Sequence, residues 1–342
     1  MKILITGGCG FVGSNIAIFF KKKMKKAKIY SVDNLMRRGS TINKKRLAKY
    51  KIKNFKFNIE DRNKFKALPK VNLVIDCCAE PAIEASSKDP DRVFNTNLIG
   101  TFNILKKCIK DKSNIIFLSS SRVYSISKLR ELLKNHKINK PLKIKKTINE
   151  DFETSLPSSL YGFTKLASEK LIKEMFFKKN LKYIINRFGV IAGPWQFGKQ
   201  DQGFVSLWVA RHILKKKLSY IGFGGNGFQV RDVIHITDVC NIIFHQVKRL
   251  NKIFNQTFNI GGEKRNTISL RSLTLKCQKI SGNKIKFNRI LKTSIYDIPY
   301  FVTNNRKLRK FYNWRPSKGI NQIIRDIYDW LLQNKMILKY FK

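Results

Sequence analysis

The sequence is poor in acidic residues and lacks any long apolar run. Only 22 of its 342 residues are Asp or Glu, against 70 Lys or Arg, which gives a formal charge of +48. Because no span of 18 uncharged apolar residues occurs, we expect no transmembrane helix. The first lysine cluster follows the opening apolar stretch instead of preceding it, so we expect no signal peptide. These absences favour a cytoplasmic protein.

The sequence also lacks the spacing of cysteines that is typical of a metal site or a disulfide framework. The six cysteines show no CxxC pattern, which argues against a zinc site and a disulfide framework and favours reduced cytosol. His212, His235 and His245 do not cluster with acids at metal-ligand spacing. We therefore assign no metal to this chain.

The lysine excess has two interpretations. A basic surface attracts phosphate, which leaves an RNA-binding protein as an alternative. The lysines occur in runs such as Lys21–Lys23 and Lys215–Lys217, however, as expected of solvent-exposed positions in a lysine-biased chain. No basic motif with interleaved aromatic residues accompanies them. We favour composition bias, and with 43% hydrophobic residues the chain is expected to fold as a globular protein.

Short β-branched runs alternate with helical stretches over the first 120 residues, a rhythm typical of a parallel α/β fold. The predicted strands are Lys2–Thr6, Lys28–Val32, Phe55–Asn58, Leu73–Cys78, Asn114–Ser119 and Leu181–Phe188. The predicted helices between and after them are Ser14–Lys26, Asp91–Lys110 and Leu160–Lys179. This order predicts a Rossmann-type doubly wound parallel sheet.

A glycine-rich motif joins the first strand to the first helix. Gly7, Gly10 and Gly13 occur in the segment GGCGFVG, which includes Phe11 and Val12. Glycines permit a tight turn and bring the backbone close to a pyrophosphate, whose charge the amides and dipole of the following helix stabilise. The spacing therefore predicts a dinucleotide site.

Asp33 selects the dinucleotide. It follows Gly13 by twenty residues, at the end of the second predicted strand, where a carboxylate accepts hydrogen bonds from the adenosine ribose and repels a 2′-phosphate. The expected cofactor is NAD, with Asn34 beside the acid. Asp61 follows the third strand and either contacts adenine or is simply an exposed loop acid.

A Tyr-x-x-x-Lys pair indicates chemistry. Tyr161 and Lys165 share one face of a predicted helix, because residues i and i+4 are neighbours on a helix. A nearby ammonium lowers the pKa of a phenol, whose ordinary value near 10 is too high for a base at neutral pH. The serine run Ser119–Ser121 follows the fifth strand and offers a hydroxyl to hold a substrate oxygen. Together with the glycine motif, this combination predicts a catalytic phenol at Tyr161 beside Lys165.

These motifs together resemble the extended short-chain dehydrogenase/reductase family, in its NAD-dependent nucleotide-sugar epimerase/dehydratase branch. The segments that carry the resemblance are Asp33–Leu35, Asn97–Thr101, the serines before Val123-Tyr124, and Arg231–His235. The resemblance implies that Ser120 binds the reacting oxygen and that Lys165 also binds the cofactor ribose. The Asp-Glu pair of dehydratases is replaced by Ser121-Arg122. We therefore expect an epimerase, acting by transient oxidation to a keto-sugar.

Within this family, several segments are similar to the epimerases that act on C2 of a CDP-linked dideoxyhexose; epimerisation at C4 of a UDP- or dTDP-sugar is the alternative. These segments are Thr6–Asn15, Gln196 with Asp201–Gly203, and Gly225–Asp232. The expected substrate is a nucleotide-diphosphate sugar, bound by Gln196, Gln202 and Arg231, whose guanidinium matches phosphate oxygens. A salt bridge to Asp232 or Asp238 is the alternative role of Arg231. The family also implies a homodimer that pairs through the helices near Asp91–Lys110 and Leu160–Lys179.

We expect residues 1–190 to form the NAD-binding domain, with a lysine-rich insertion at about 125–157. Residues 191–342 are expected mainly to form a smaller substrate-binding lobe, partly interleaved with the sheet. The glycine-rich Gly222–Gly227 lacks the lysine-threonine pair of a phosphate loop and is interpreted as a hairpin turn. The helices predicted in this lobe are Phe204–Lys216, Thr237–Leu250, Ser269–Ser281 and Ile320–Gln333.

Overall fold

A computed structural model describes residues 1–81, 88–132, 146–156, 158–199 and 202–341. Part of the predicted insertion, residues 133–145 and 157, lies outside the described residues, as does Asp201. The strands are β1 Lys2–Thr6, β2 Lys28–Val32, β3 Lys53–Phe55, β4 Leu73–Asp76, β5 Asn114–Ser120, β6 Tyr183–Phe188, β7 Val190–Ala192, β8 Leu218–Ile221, β9 Val230–His235, β10 Gln256–Ile260, β11 Thr267–Ser269, β12 Phe287–Ile290 and β13 Tyr300–Phe301.

Helices account for most of the remaining regular structure. The α-helices in the described ranges are α1 Phe11–Lys23, α2 Ser40–Lys49, α3 Pro90–Phe94, α4 Gly100–Asp111, α5 Ile126–Glu131, α6 Ser159–Phe177, α7 Phe204–Ile213, α8 Ile236–Arg249, α9 Leu270–Ser281, α10 Arg306–Tyr312 and α11 Ile320–Gln333. One π-helical turn, Asn95–Ile99, joins α3 to α4. Short 3₁₀ turns are Arg62–Ala67, Ser121–Val123, Phe223–Gly225, Lys264–Asn266 and Lys335–Phe341.

The chain divides into two compact units. The first consists of Met1–Val123, Ser159–Arg187 and Cys240–Phe258, and the second of Tyr124–Ser158, Phe188–Val239 and Asn259–Lys342. The segment expected as an insertion in the first domain thus belongs to the second unit, while Cys240–Phe258 returns to the first. The return of Cys240–Phe258 to the first unit is an interleaving of the kind expected for the second lobe.

The first unit is built on a seven-stranded sheet in the order β10-β6-β5-β4-β1-β2-β3. Neighbouring strands from β3 to β5 run parallel. Apolar residues of these strands pack against α4 and α6, with Val74, Phe117, Ile104 and Ile172 in one buried cluster. This arrangement confirms the predicted Rossmann-type fold. The strand order reverses between β1 and β4, the place where open α/β sheets bind their ligands.

Strand β3 lies earlier than predicted, at Lys53–Phe55 instead of Phe55–Asn58. It pairs with β2 alone in the described sheet, and Phe55 is the partner of Val32, the last residue of β2. Because β2 ends there, the ladder has no partner for residues after Phe55. The predicted range was therefore wrong, because the strand ends at Phe55 and does not extend to Asn58.

The second unit contains two small sheets. Strand β9 pairs with β7, β11 and β13, and β8 pairs in parallel with β12. The hairpin predicted at Gly222–Gly227 was wrong, because β8 and β9 belong to different sheets and Phe223–Gly225 forms a 3₁₀ turn between them. Helices α7, α9 and α11 bury a common apolar cluster that includes Trp208, Leu273 and Ile327.

Candidate active site

Three glycines of the turn between β1 and α1, Gly7, Gly8 and Gly13, have no room for a Cβ. Gly7 has φ +59°, and a Cβ on Gly13 would lie 2.3 Å from the Gly7 carbonyl oxygen. A Cβ on Gly8 would lie 2.2 Å from the Ser31 hydroxyl. Gly10 precedes α1, no side chain caps the helix, and its first turn contains no acid. The first amides of α1, which starts at Phe11 and Val12, can therefore meet an anion directly, and the turn fits a pyrophosphate.

Asp33 is fixed at the end of β2, next to the glycine turn. Its carboxylate accepts hydrogen bonds from the backbone N–H groups of Cys9, at 3.0 Å, and Leu35, at 2.8 Å. Burial raises the pKa of Asp33, and these amides together with the charge of Arg37 lower it. Asn34 donates to Asn58 at 2.9 Å and accepts from the Met36 amide at 3.0 Å. A carboxylate held in this way suits a ribose diol and opposes a 2′-phosphate.

Asp61 has a local structural role. It caps the 3₁₀ turn Arg62–Ala67, where its carboxylate accepts from the Asn63 amide at 3.2 Å. This capping contact alone explains why an acid stands at position 61, and the structure does not test a contact with adenine. Asp61 therefore stays a prediction as a cofactor residue.

The structure brings the predicted base and its serine together. Ser120 ends β5 and Tyr161 lies in the first turn of α6, and the Ser120 hydroxyl lies near enough to the Tyr161 phenol to affect its pKa. Burial raises the pKa of Tyr161, while the Ser120 hydroxyl and the charges of Arg122 and Arg37 lower it. These two arginines are the cations that act on the phenol. Sequence reasoning selected neither of them for that role.

Lys165 lies one turn beyond Tyr161 and is almost fully buried, at 1% exposure. Its ammonium lies 3.8 Å from the centre of the Phe117 ring. Burial lowers the pKa of Lys165, and the negative charges of Asp76 and Glu169 oppose that shift. The ammonium of this lysine is therefore paired electrostatically with acids of the same unit.

Asp76 is a buried acid that the sequence analysis did not select. It ends β4, beside Thr6 of β1 and Phe117 of β5 in the strand register, so the three residues form one row across the sheet. The Thr6 hydroxyl donates to its Oδ1 at 2.5 Å, whereas Oδ2 has no hydrogen-bond partner among the described residues. Burial raises the pKa of Asp76, and the charge of Lys165 lowers it. Asp76 thus supplies negative charge close to the buried ammonium.

A second ion pair supports the same helix. Glu169 accepts hydrogen bonds from Arg187 of β6, with Nη2 at 2.7 Å and Nε at 3.1 Å, and from the Ser119 hydroxyl at 2.5 Å. Both charged residues are buried. Since Ser119 directly precedes Ser120, this cluster ties the end of β5 to α6.

Glu80 connects two arginines to the rim of the sheet. Its carboxylate lies 2.7 Å from Arg37 and 2.8 Å from Arg92, and it is buried. The Asn97 side chain accepts from the Glu80 amide and donates to Thr164, next to Lys165 on α6. Asn97, a residue of the family resemblance, thereby joins this acid to the helix that carries the tyrosine.

The three predicted substrate residues belong to the second unit. Gln196 uses both ends of its amide internally, donating to the Ile191 carbonyl at 3.0 Å and accepting from Ser206 at 2.8 Å. Arg231 donates to the carbonyls of Val230, at 2.8 Å, and Ile298, at 2.6 Å. Gln202 is exposed. Their roles toward a substrate stay predictions.

The alternative partners proposed for Arg231 have contacts of their own. Asp238 accepts from the Ser317 hydroxyl at 2.6 Å and from the Lys318 amide at 3.0 Å. Asp232 accepts from the Glu263 amide at 3.0 Å. Both acids are therefore engaged in holding loops of the second unit.

The chain matches the model of the family described as "NAD dependent epimerase/dehydratase family" over residues 3–261. The match spans the glycine turn, Asp33, Ser120, Tyr161 and Lys165. The chain belongs to this family. Membership confirms both the resemblance drawn from the motifs and NAD as the cofactor. Among the described residues, no helix is long and apolar enough to cross a membrane.

Curated relatives include several nucleotide-sugar epimerases. The chain is 30% identical to CDP-paratose 2-epimerase of Salmonella typhi, over 96% of this chain and 99% of the relative. It is 26% identical to UDP-glucuronate 4-epimerase of Thermodesulfobacterium geofontis, over 99% and 98% of the two chains. These two relatives are both epimerases, and their names differ in the nucleotide sugar and the carbon; a dTDP-D-glucose 4,6-dehydratase of Dictyostelium discoideum, 29% identical over 76% of this chain and 58% of the relative, is similar as well.

Solved structures of the same kind share the fold. UDP-glucuronic acid 4-epimerase from Bacillus cereus, in complex with UDP-glucuronic acid and NAD, superposes with a TM-score of 0.82 at 22% identity, covering 98% of this chain and all of the other. UDP-glucose 4-epimerase from Thermus thermophilus, in complex with NAD, gives 0.81 at 22% identity, over 97% and 99% of the chains. Both confirm the α/β architecture.

Proposed function

We propose that this protein is an NAD-dependent nucleotide-sugar epimerase that inverts C2 of a CDP-linked dideoxyhexose. The observation that carries the proposal is the placement of Ser120 and Tyr161 beside each other at the carboxyl edge of a sheet whose glycine turn fits a dinucleotide. Base, oxygen-binding hydroxyl and cofactor turn belong to one compact unit. This is the set of groups that a reversible alcohol oxidation requires.

The cofactor residues follow from the fit described above. Gly7, Gly10 and Gly13, with the amides of Phe11 and Val12, would hold the pyrophosphate. Asp33 and Asn34 would bind the adenosine ribose, and Lys165 the ribose of the nicotinamide. When bound, NAD supplies a reversible acceptor for the hydrogen and electron pair that leave the sugar carbon.

The protein's own groups move the proton. Tyr161, as phenolate, removes the proton of the sugar hydroxyl, and Ser120 donates a hydrogen bond to the same oxygen. Arg122 and Arg37 favour the phenolate, because their positive charges lower the pKa of Tyr161. Asp76 balances the charge of Lys165 in the buried site. Reprotonation by Tyr161, after the keto-sugar has turned its other face, completes the inversion.

Simple epimerisation is favoured over dehydration by the residues that follow Ser120. Elimination of water needs an added acid and base, and dehydratases of the family place an acidic pair there. This chain has Ser121 and Arg122 in a 3₁₀ turn. An arginine at this position stabilises the phenolate and supplies no carboxylate for elimination.

The CDP-linked sugar is proposed from the 30% identity to CDP-paratose 2-epimerase over nearly both whole chains. We assign Gln196, Gln202 and Arg231 to the substrate, in line with the segments that resemble that group. Since Arg231 also donates to backbone carbonyls, its free hydrogen-bonding capacity toward a diphosphate is reduced. The 4-epimerisation of a UDP- or dTDP-sugar is tested alongside it.

The test incubates the purified protein with CDP-, UDP- and dTDP-sugars in deuterated water. We expect one CDP-dideoxyhexose to give a product of unchanged mass, inverted at C2 by NMR and without deuterium on that carbon. Inversion at C4 of a UDP- or dTDP-sugar would support the alternative. Loss of 18 mass units, as expected for water, would contradict the epimerase assignment.

The Tyr161→Phe variant tests the base. It should retain NAD, measured after denaturation, yet lose at least about 10²-fold in turnover, the usual contribution of a general base. Tyr183→Phe, which removes a phenol from β6 of the same unit, is the control and should remain active. Full activity of Tyr161→Phe would refute the mechanism.

We further propose a homodimer that pairs through the helices near Asp91–Lys110 and Leu160–Lys179. Exposed apolar side chains on these helices support it, since such groups gain from burial. They are Phe94, Ile99, Phe102 and Phe163. Sedimentation at micromolar concentration, with Phe102→Glu as the disruptive variant, tests the state.

A further inference from the structure

The second unit contains a cavity of about 430 Å³ whose wall is rich in guanidinium groups. Arg265, Arg306, Arg309, Arg315 and Lys264 line it, together with a single acid, Glu263. We call it the arginine cavity. None of these residues belongs to the sets assigned above to catalysis, cofactor or substrate.

Composition bias does not explain this wall. The chain contains 52 lysines and 18 arginines, so five cations drawn at that ratio would include about one arginine. The arginine cavity has four arginines and one lysine. Arginine is therefore enriched in this wall relative to the whole chain. A guanidinium differs from an ammonium in its planar fork, which matches two phosphate oxygens at once.

Most of these guanidinium groups form no polar contact with the described residues of the chain. Arg309 forms an ion pair with Glu263. The side chains of Arg265, Arg306 and Arg315 make no hydrogen bond or ion pair within the part of the chain that the structure describes. All three are exposed to solvent at the cavity. One acid against five cations leaves a strong positive excess that only an external anion can balance.

We propose that the arginine cavity binds a small polyphosphate, of the class of nucleoside di- and triphosphates or their inorganic counterparts. Several charges carried on adjacent phosphates match several forks that converge on one concavity, and bidentate contacts favour an oxyanion over a halide. The volume falls within the usual range of small-ligand sites. The proposal stands independently of the sugar substrate proposed above.

The experiment titrates the full-length, NAD-containing protein with inorganic tripolyphosphate by calorimetry at 0.15 M salt. The decisive variant is Arg306→Lys with Arg315→Lys, which keeps the charge and removes the forks. We expect saturable binding of one equivalent by the parent and at least about tenfold weaker binding by this variant. Lys25→Gln with Lys26→Gln removes two exposed charges of the first unit and should change affinity less than twofold.

Three outcomes would overturn the proposal. They are the absence of saturable binding, equal weakening by the Lys25/Lys26 control, and unchanged affinity in the Arg→Lys variant. A single-stranded RNA that binds more tightly than tripolyphosphate and competes with it, with the same dependence on Arg306 and Arg315, would assign the surface to nucleic acid instead. NAD content and the melting temperature, measured for each variant, confirm that the comparison is between folded proteins.

Discussion

Breaking the buried pair of Glu169 and Arg187 should destabilise the protein more than any surface change on the same helix. In Glu169→Gln, the guanidinium stays in its buried position, but its three contacts with the carboxylate, between 2.7 and 3.2 Å, lose their charged acceptor. The Ser119 hydroxyl also loses the carboxylate that it donates to at 2.5 Å. Water cannot replace these partners, because Glu169 is only 1% exposed.

Removing one partner of a buried ion pair costs about 3–5 kcal/mol, since the other charge remains uncompensated. For large domains, 1 kcal/mol corresponds to about 2 °C in melting temperature, so the variant should melt roughly 6–10 °C lower. Glu174→Gln is the matched control, because Glu174 is exposed on the same helix. Its effect should stay within about 0.5 kcal/mol.

A double-mutant cycle separates the pair from its surroundings. Glu169→Met with Arg187→Met removes both charges, so urea unfolding should show a loss smaller than the sum of the single losses by at least about 2 kcal/mol. Additive losses, or a Glu169→Gln variant as stable as Glu174→Gln, would refute the account of this cluster.

Two further predictions concern pH. Arg122→Met should shift the rising limb of the pH–rate profile to higher pH, because the arginine charge lowers the pKa of the Tyr161 phenol. Arg122→Lys keeps the charge and should show little of this shift. An unchanged profile in Arg122→Met would contradict the prediction. Burial raises the pKa of Asp232 to about 6, so the folded state holds this proton more tightly than the unfolded state does. The free energy of unfolding should therefore fall, by about 3 kcal/mol at most, as the pH rises from about 4 to 6. Urea unfolding measured across that pH range should show that Asp232→Asn lacks this decrease in the free energy of unfolding. An identical pH dependence in the parent and in Asp232→Asn would contradict the prediction.

Local pattern was sufficient for the cofactor half of the site. Strands β1 and β2 lie where the sequence analysis put them, because central parallel strands are buried on both faces and appear as continuous apolar runs. The glycine turn follows from residues within one loop. The tyrosine was predicted from its Tyr-x-x-x-Lys spacing, but the choice of Ser120 within its serine run needed the family resemblance, because forty-one residues separate the two along the chain.

What the sequence did not reveal depends on contacts between distant segments. Asp76 resembles any strand-end acid until Lys165 is packed above its sheet, and Glu169 meets Arg187 only once α6 and β6 are assembled. Arg122 lies two residues after Ser120 in sequence, yet its effect on Tyr161 requires the tertiary fold. The arginines of the cavity come from three separated segments and show no local motif.

The way the chain alternates between its two units has a consequence during synthesis. On the ribosome, β1 to β5 emerge first, and the outer side of β5 faces no neighbour until β6 appears more than sixty residues later. Until then the nascent sheet presents an open edge, which can pair with other unfinished chains. The first unit cannot close before residue 258 has left the exit tunnel. Chaperone demand should therefore be greatest while the middle third of the polypeptide is being translated.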